Sequence, residues 1–304
     1  GFSDVKSAAF RVHNVKVCNN QVEVEPNGTL SHGLKLSFAS SGSTYAAEGV
    51  QFNGNQIQNV EEPLYLYAPN AHVYGCDISG NNLIDFGGGA GNAIRVLVGG
   101  QVKATSISNN TIFGGSSTET GVVIHYRNTG IEATGGLQID DNNISQCGGP
   151  AVRVSLGSGS ALNALPDRSI SVSGNVIEQC ATANGVSQAV ISLSPDGTNA
   201  SPGDVVAWAV SNNTISYCGP DDVPLDYIKV DFQLYDYANA GDISNNTIVG
   251  GDIGSPTRTR LPRDGILVSI PDTGGTAGGK GLAVTGNIIT GQTNAGGSNC
   301  GIEI

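Results

Sequence analysis

The amino-acid sequence predicts an all-β chain wound as a parallel β-helix, and three observations carry that prediction. One short phrase recurs nine times along the chain. A second element of alternating apolar residues sits between its copies. Gly and Asn occur at a rate that suits frequent, regular turning: of 304 residues, 44 are Gly and 28 are Asn. Both are poor helix formers whose common use is at backbone positions with positive φ, so most helical architectures are excluded.

The phrase is an apolar residue, two small or polar residues, an Asn, any residue and a second apolar residue. It reads VCNNQV around Asn20, FNGNQI around Asn55, ISGNNL around Asn81, ISNNTI around Asn110 and IDDNNI around Asn142. It returns as VSGNVI around Asn175, VSNNTI around Asn213, ISNNTI around Asn246 and VTGNII around Asn287, at spacings of 26 to 41 residues. The element between the copies is a small residue followed by apolar positions at period two, as in GLKLSF, AIRVLV, GVVIHY, AVRVSL and YIKVDF. Period two marks a strand. Two or three short strands with no helix between them cannot close a core alone, whereas stacked units can. Successive coils then pair about 4.8 Å apart, and nine or ten of them make a rod on the order of 45 Å long. The recurrent Asn is expected to stack on its neighbours, its amide satisfying turn backbone that would otherwise lack a partner. The variable spacing is absorbed by loops on the side of the rod, where solenoids usually carry function.

As they stand in ISNNTI and GVVIHY, these phrases resemble the right-handed parallel β-helix repeats of the pectate-lyase-like superfamily and of phage tailspikes. The resemblance covers essentially the whole chain. It implies a single-stranded right-handed parallel β-helix solenoid of about nine to ten coils, one domain over residues 1–304, with a polysaccharide as ligand and a side-by-side homotrimer as the assembly. It does not choose an activity, because the same fold hosts lyases, hydrolases, epimerases, adhesins and non-catalytic spikes. No Asp cluster resembles the calcium site of pectate lyases, no Asp set resembles that of polygalacturonases, and the Tyr-Gly-Asp-Pro-His phrase of alginate epimerases does not occur. No cofactor is therefore expected; calcium stays possible on the fold, with no motif behind it. The sequence contains no Met and runs from an early strand, AFRVH, to a final GIEI. A longer natural chain, or partner chains over the ends, is expected to cover the exposed strand edges.

The formal charge of −12 argues against general nucleic-acid or anionic-membrane binding, and no apolar run approaches the 18 or so residues of a membrane span. The tailspike resemblance implies an extracellular or virion-surface location. Six cysteines show neither a C-x-x-C pair nor zinc spacing. Cys147, Cys180 and Cys218 each follow a phrase Asn by five residues, which predicts an inward ladder of small buried thiols beside Val60 and Phe86. Asn109 and Asn212, although in N-glycosylation sequons, are assigned to the phrase ladder, which argues against their modification.

Aligning the alternating strands on Phe10, Leu34, Leu64, Ile94, Val122, Val152, Ala189, Ile228, Ile266 and Ile302 gives an outward column of Arg11, Lys35, Tyr65, Arg95, Val123, Arg153, Val190, Lys229, Leu267 and Glu303. The next outward column is His13, Ser37, Tyr67, Leu97, His125, Ser155, Ser192, Asp231 and Ser269. This alignment places Arg95 and Arg153 on either side of His125. Two readings stand. In the first, the face is a groove for a polysaccharide bearing carboxylates: Lys35, Tyr65 and Tyr67 help hold the chain, and Arg95 or Arg153 neutralises a uronate. His125 or Lys229 then removes the adjacent proton. In the second, outward positions are simply polar, and Lys or Arg also blocks lateral strand addition. A hydrolase would instead draw two carboxyl groups from Glu178 or the acidic stretch holding Asp221, Asp222, Asp226, Asp231 and Asp236. The segment with Arg258, Arg260 and Arg263 offers a further anion or subunit contact, or an exposed loop. An adhesin or structural spike, in which the rod itself is the function, is the non-catalytic alternative.

Overall fold

In a computed structural model of the chain, the residues described are 10–25, 30–38, 45–69, 71–86, 91–98, 102–114, 120–126, 136–157, 169–183, 189–196, 207–219, 225–231, 240–250, 265–269, 282–291 and 301–304. They form three parallel sheets of ten, nine and nine strands, with no helix among them. None of the described residues forms a helix long and apolar enough to cross a membrane. A coil contributes one strand to each sheet in turn, as in Tyr45–Asn53, Gln56–Gln58 and Glu62–Ala68, and each strand pairs in parallel with its equivalent one coil away. This is a parallel β-helix, and the sheets are called first, second and third in that chain order.

The phrase explains the corner between the first and second sheets. The residue before each phrase Asn has φ between 55° and 67°, whether it is Gly (54, 80, 174, 286), Asn (19, 109, 212, 245) or Asp141. Asn and Asp tolerate this left-handed conformation through local hydrogen bonding, and Gly has no Cβ to oppose it. Beyond the corner, the phrase Asn side chains form one continuous ladder. Asn142 shows the pattern: its Oδ1 accepts from the backbone N (3.0 Å) and Nδ2 (2.9 Å) of Asn110, while its own Nδ2 donates to Ile107 O and to Asn175 Oδ1, both at 2.9 Å. The same set repeats from Asn20 to Asn287. Asn55 through Asn246 are at most 1% exposed, so these polar groups leave water only because each has a partner.

Inside the ladder lies one apolar column per inward position. The second sheet stacks Ile57, Leu83, Ile112, Ile144, Ile177, Ile215 and Ile248, all 0% exposed. In the first sheet the inward column runs Ile170, Trp208, Gly241, Leu282, and the lone Trp is accommodated because its neighbour has no side chain.

The predicted thiol ladder is present. Cys147, Cys180 and Cys218 are fully buried and unbridged, and Cys180 N–H donates to Cys218 Sγ at 3.3 Å. Burial pushes the Cys180 thiol well above its usual range, with the Cys147 contact adding to the shift and a Cys218 hydrogen bond opposing it. Burial also pushes Cys76 up to about 12, helped by the charge of Asp77. All four thiols, Cys76, Cys147, Cys180 and Cys218, are at most 2% exposed and out of a reagent's reach, and thiolate, the reactive form, is further disfavoured at Cys76 and Cys180. At pH 8 a thiol-specific disulfide reagent is expected to leave them untouched until denaturant is added, and labelling of any of the four in the native protein would contradict their burial. The sign of the linkage follows. Because the folded thiol titrates above the unfolded one, its contribution to stability is whole below about pH 9 and is lost as pH rises from there toward about 12 for Cys76.

Three sequence expectations are corrected. Phe10–His13 belongs to the first sheet, pairing with Tyr45–Glu48, because it precedes the first phrase rather than following it. Arg11 and His13 therefore leave the basic face. In the third sheet, Val152 pairs with Ile191, not Ala189. The outward column thus passes through Ser192 and the next one through Ser194, because the preceding corner is longer in this coil. Finally, Asn109 and Asn212 are the exposed left-handed residues beside the ladder, not members of it.

Candidate functional site

The outer face of the third sheet carries the candidate site. Corrected by register, its first outward column reads Lys35, Tyr65, Arg95, Val123, Arg153, Ser192, Lys229, Leu267, Glu303. Four of nine positions are basic, in a chain with 14 Lys and Arg among 304 residues, so the enrichment survives the realignment. Arg95 and Arg153 flank Val123; His125 lies one outward position further along, between Leu97 and Ser155. The side chains of His125 and Asp231 lie outside the described residues, as do Asp221, Asp222, Asp236 and the segment with Arg258, Arg260 and Arg263. So do most of the loops expected to wall the groove.

At one end of this face the structure gathers a cluster. The Tyr65 ring lies between two cations from neighbouring coils, Lys35 Nζ at 5.0 Å and the Arg95 guanidinium at 4.9 Å from its centroid. Tyr65 is only 6% exposed, so its ring serves the cations rather than a sugar. Tyr67, half-buried, stands 5.5 Å from Tyr65 and 5.7 Å from Lys35 Nζ, and it keeps the aromatic surface that a ligand would meet. Cation–π contacts contribute roughly 0.5–1 kcal/mol where the cation is exposed, as Lys35 is, and up to about 2 where it is desolvated.

The anchor of the cluster is Glu62, which sequence reasoning missed. Its carboxylate, 10% exposed, accepts from Arg95 Nη1 at 2.8 Å and from Asn92 Nδ2 at 3.2 Å, and meets His32 Nε2 at 3.5 Å. His32 in turn lies 3.1 Å from Lys35 Nζ and stacks 5.3 Å from Tyr65. A carboxylate so far from water is tolerable only when paired and hydrogen-bonded. A sequence signal existed: His32, Glu62 and Asn92 each lie two residues before the aligned apolar residue of their strand, in consecutive coils. The alignment began two residues too late to see it.

These contacts change the roles predicted for the two arginines. Arg95 is already neutralised by Glu62 and stacked on Tyr65, which makes it a structural cation first. Arg153 is half-buried and has no ion pair among the described residues. Lys229 is half-buried two coils further along. Asp226, expected to face a substrate, is 4% exposed at the corner before Ile228–Asp231, where its carbonyl accepts from Val190 N–H. That places it inside the wide corner rather than on an open face. Among the described residues no group of three or more His, Cys, Asp or Glu converges as a metal site.

Fold and face together define a parallel β-helix repeat protein with a basic and aromatic stripe along one sheet. Comparison with known families, with curated proteins and with solved structures returned no match.

Proposed function

We propose that this chain is an extracellular or virion-surface β-helix, of the tailspike and pectate-lyase-like kind, that binds an acidic polysaccharide along the outer face of its third sheet and cleaves it. One observation carries the reading. Lys35, Arg95, Arg153 and Lys229 lie in a single register column, with Tyr67 one position aside. The six coil steps from Lys35 to Lys229 span roughly 29 Å, a length suited to several sugar units rather than to a small molecule. Guanidinium forks match carboxylates, and a net charge of −12 over the whole chain makes a local cationic track selective rather than general. In an eliminative cleavage Arg153 neutralises the uronate, His125 or the neutral amine of Lys229 takes the proton next to it, and the glycosidic C–O bond breaks as the new double bond forms, its oxygen leaving with a proton from water.

A non-catalytic adhesin or spike is the second reading, and a specific observation favours it: Arg95 is already taken up by Glu62 and by the Tyr65 ring. The experiment is incubation of the protein with a panel of acidic and neutral polysaccharides, reading binding, product mass, ultraviolet absorbance from new double bonds and new reducing ends. The expected result is binding of acidic chains only, with release of unsaturated oligosaccharides. Tyr67→Ala is expected to weaken binding about tenfold, the loss of roughly one stacking contact. Saturated products would move the chemistry to hydrolysis by carboxyl groups. Binding without products would establish the adhesin reading, and no binding to any acidic chain would sink the proposal.

A further inference from the structure

Two groups on the third sheet's outer face lack the same thing, an acceptor. Arg153 is half-buried, and its guanidinium has no carboxylate beside it among the described residues. Ser155, two residues along and on the same side of the strand, is 1% exposed, and its Oγ has no hydrogen-bond partner among the described residues. A buried hydroxyl left unpaired costs about 1–3 kcal/mol, so its presence calls for an explanation. Among the described residues, the other buried unpaired hydroxyl, Thr105 Oγ1, differs in setting: it points inward between Cys76 and Leu137, with no cation in its column. Beside Arg153, the next coil adds the 7% exposed Ser192 in direct register, about 4.8 Å away. The preceding coil closes the patch with Val123, 5% exposed and apolar. A guanidinium fork and the Ser155 hydroxyl, with no acceptor among the described residues, stand beside the Ser192 hydroxyl, backed by an apolar wall and away from the Glu62 carboxylate.

The structure assigns Arg153, Ser155 and Ser192 to an oxyanion subsite that receives a negatively charged substituent of a sugar, a carboxylate or a sulfate ester. The guanidinium holds two of the oxygens and the Ser155 hydroxyl donates to one of them. The assignment rests on the glycan reading for the identity of the ligand, and it moves recognition of charge from Arg95, which Glu62 already satisfies, to Arg153.

The test uses sodium glucuronate, sodium sulfate and glucose as probes at constant ionic strength, with calorimetric titration and thermal melts of the wild type, Arg153→Gln and Ser155→Ala. The wild type is expected to bind glucuronate or sulfate and not glucose, and the stronger of the two anions identifies the substituent. Arg153→Gln is expected to lose the binding. Ser155→Ala is expected to weaken it at least fivefold while its ligand-free melting temperature stays level or rises, since an unpaired hydroxyl has been removed. Ser155→Ala keeps the test decisive if Arg153→Gln folds poorly. Anion binding unchanged in either variant, or absent from the wild type, overturns the subsite. If small anions bind at Arg153 but no polysaccharide does, the proposed function fails and the subsite stands. If a polysaccharide binds Arg153→Gln as well as the wild type, the subsite falls and the function stands.

Discussion

Asn142→Ala is expected to break the rod near its middle. The substitution removes the acceptor for two hydrogen bonds from Asn110 and the donor to both Ile107 O and Asn175 Oδ1. Asn175 Oδ1 keeps the backbone N–H of residue 142, so the stranded groups are the Asn110 N–H, one Asn110 amide proton and the Ile107 carbonyl. All are buried or nearly so, and at about 1–3 kcal/mol for each orphan the total is on the order of 4 kcal/mol. Asn20→Ala removes the same side chain at the exposed end of the ladder and is expected to cost less than about 1 kcal/mol. Because coils touch only their neighbours, the Asn142 variant is expected to unfold in two steps rather than one, its halves no longer coupled. Denaturant unfolding followed by circular dichroism reads both quantities. If the two variants differ by less than about 1 kcal/mol, the ladder is not what couples the coils.

That ladder shows why so much of the fold was legible. A stacked column requires one chemistry at one position in every coil, so Asn55, Asn81, Asn110 and their equivalents recur whatever happens around them. The residue before each of them needs a left-handed φ, which narrows the choice to Gly, Asn or Asp and leaves a visible mark. The corner leading into the third sheet is different. It demands small residues where coils pack closely: a Cβ on Gly33 would lie 2.8 Å from Pro63 O, and one on Gly121 would lie 2.6 Å from Ala151 O. Two coils escape the demand by widening. There the equivalent positions are Val190 and Tyr227, whose N–H and carbonyl neighbours continue the ladder from Ala151. The fully buried Tyr227 fills the space and donates its hydroxyl to Cys218 O at 2.8 Å. Taking Ala189 as the first inward apolar residue of this strand, where Ile191 stands, therefore slipped the strand by two. A two-residue slip preserves the inward and outward pattern, which is why periodicity raised no objection.

The site was legible only as a column. Register follows from apolar alternation, so Lys35, Tyr65, Arg95 and Arg153 could be placed on one face from sequence. What each side chain does there depends on reach between coils. Arg95 crosses one coil to Glu62, while Arg153, at the same position two coils on, finds no carboxylate among the described residues. Identical residue types in one column thus divide into a structural cation and a candidate ligand-binding one. Nothing in their spacing distinguishes the two.

Gly241→Ala carries the second large effect, and here the cost is steric. A Cβ at Gly241 would fall inside the Trp208 indole, in contact with its Cζ2 and Cε2. The ring is 6% exposed and belongs to the main core, so it cannot swing out to make room. Overpacking of this kind costs about 1–3 kcal/mol, and Gly241→Val is expected to exceed that range. Trp208→Val alone leaves a cavity and is expected to cost about 3 kcal/mol or more. The double variant Trp208→Val with Gly241→Val restores much of the volume across two adjacent coils of the same inward column. It is expected to be more stable than the sum of the single losses by over 1 kcal/mol. Thermal melts of the four proteins by circular dichroism measure the coupling, because the lone Trp is absent from two of them. Additive losses would show that the missing side chain at 241 is incidental, and that the indole finds its room elsewhere in the core.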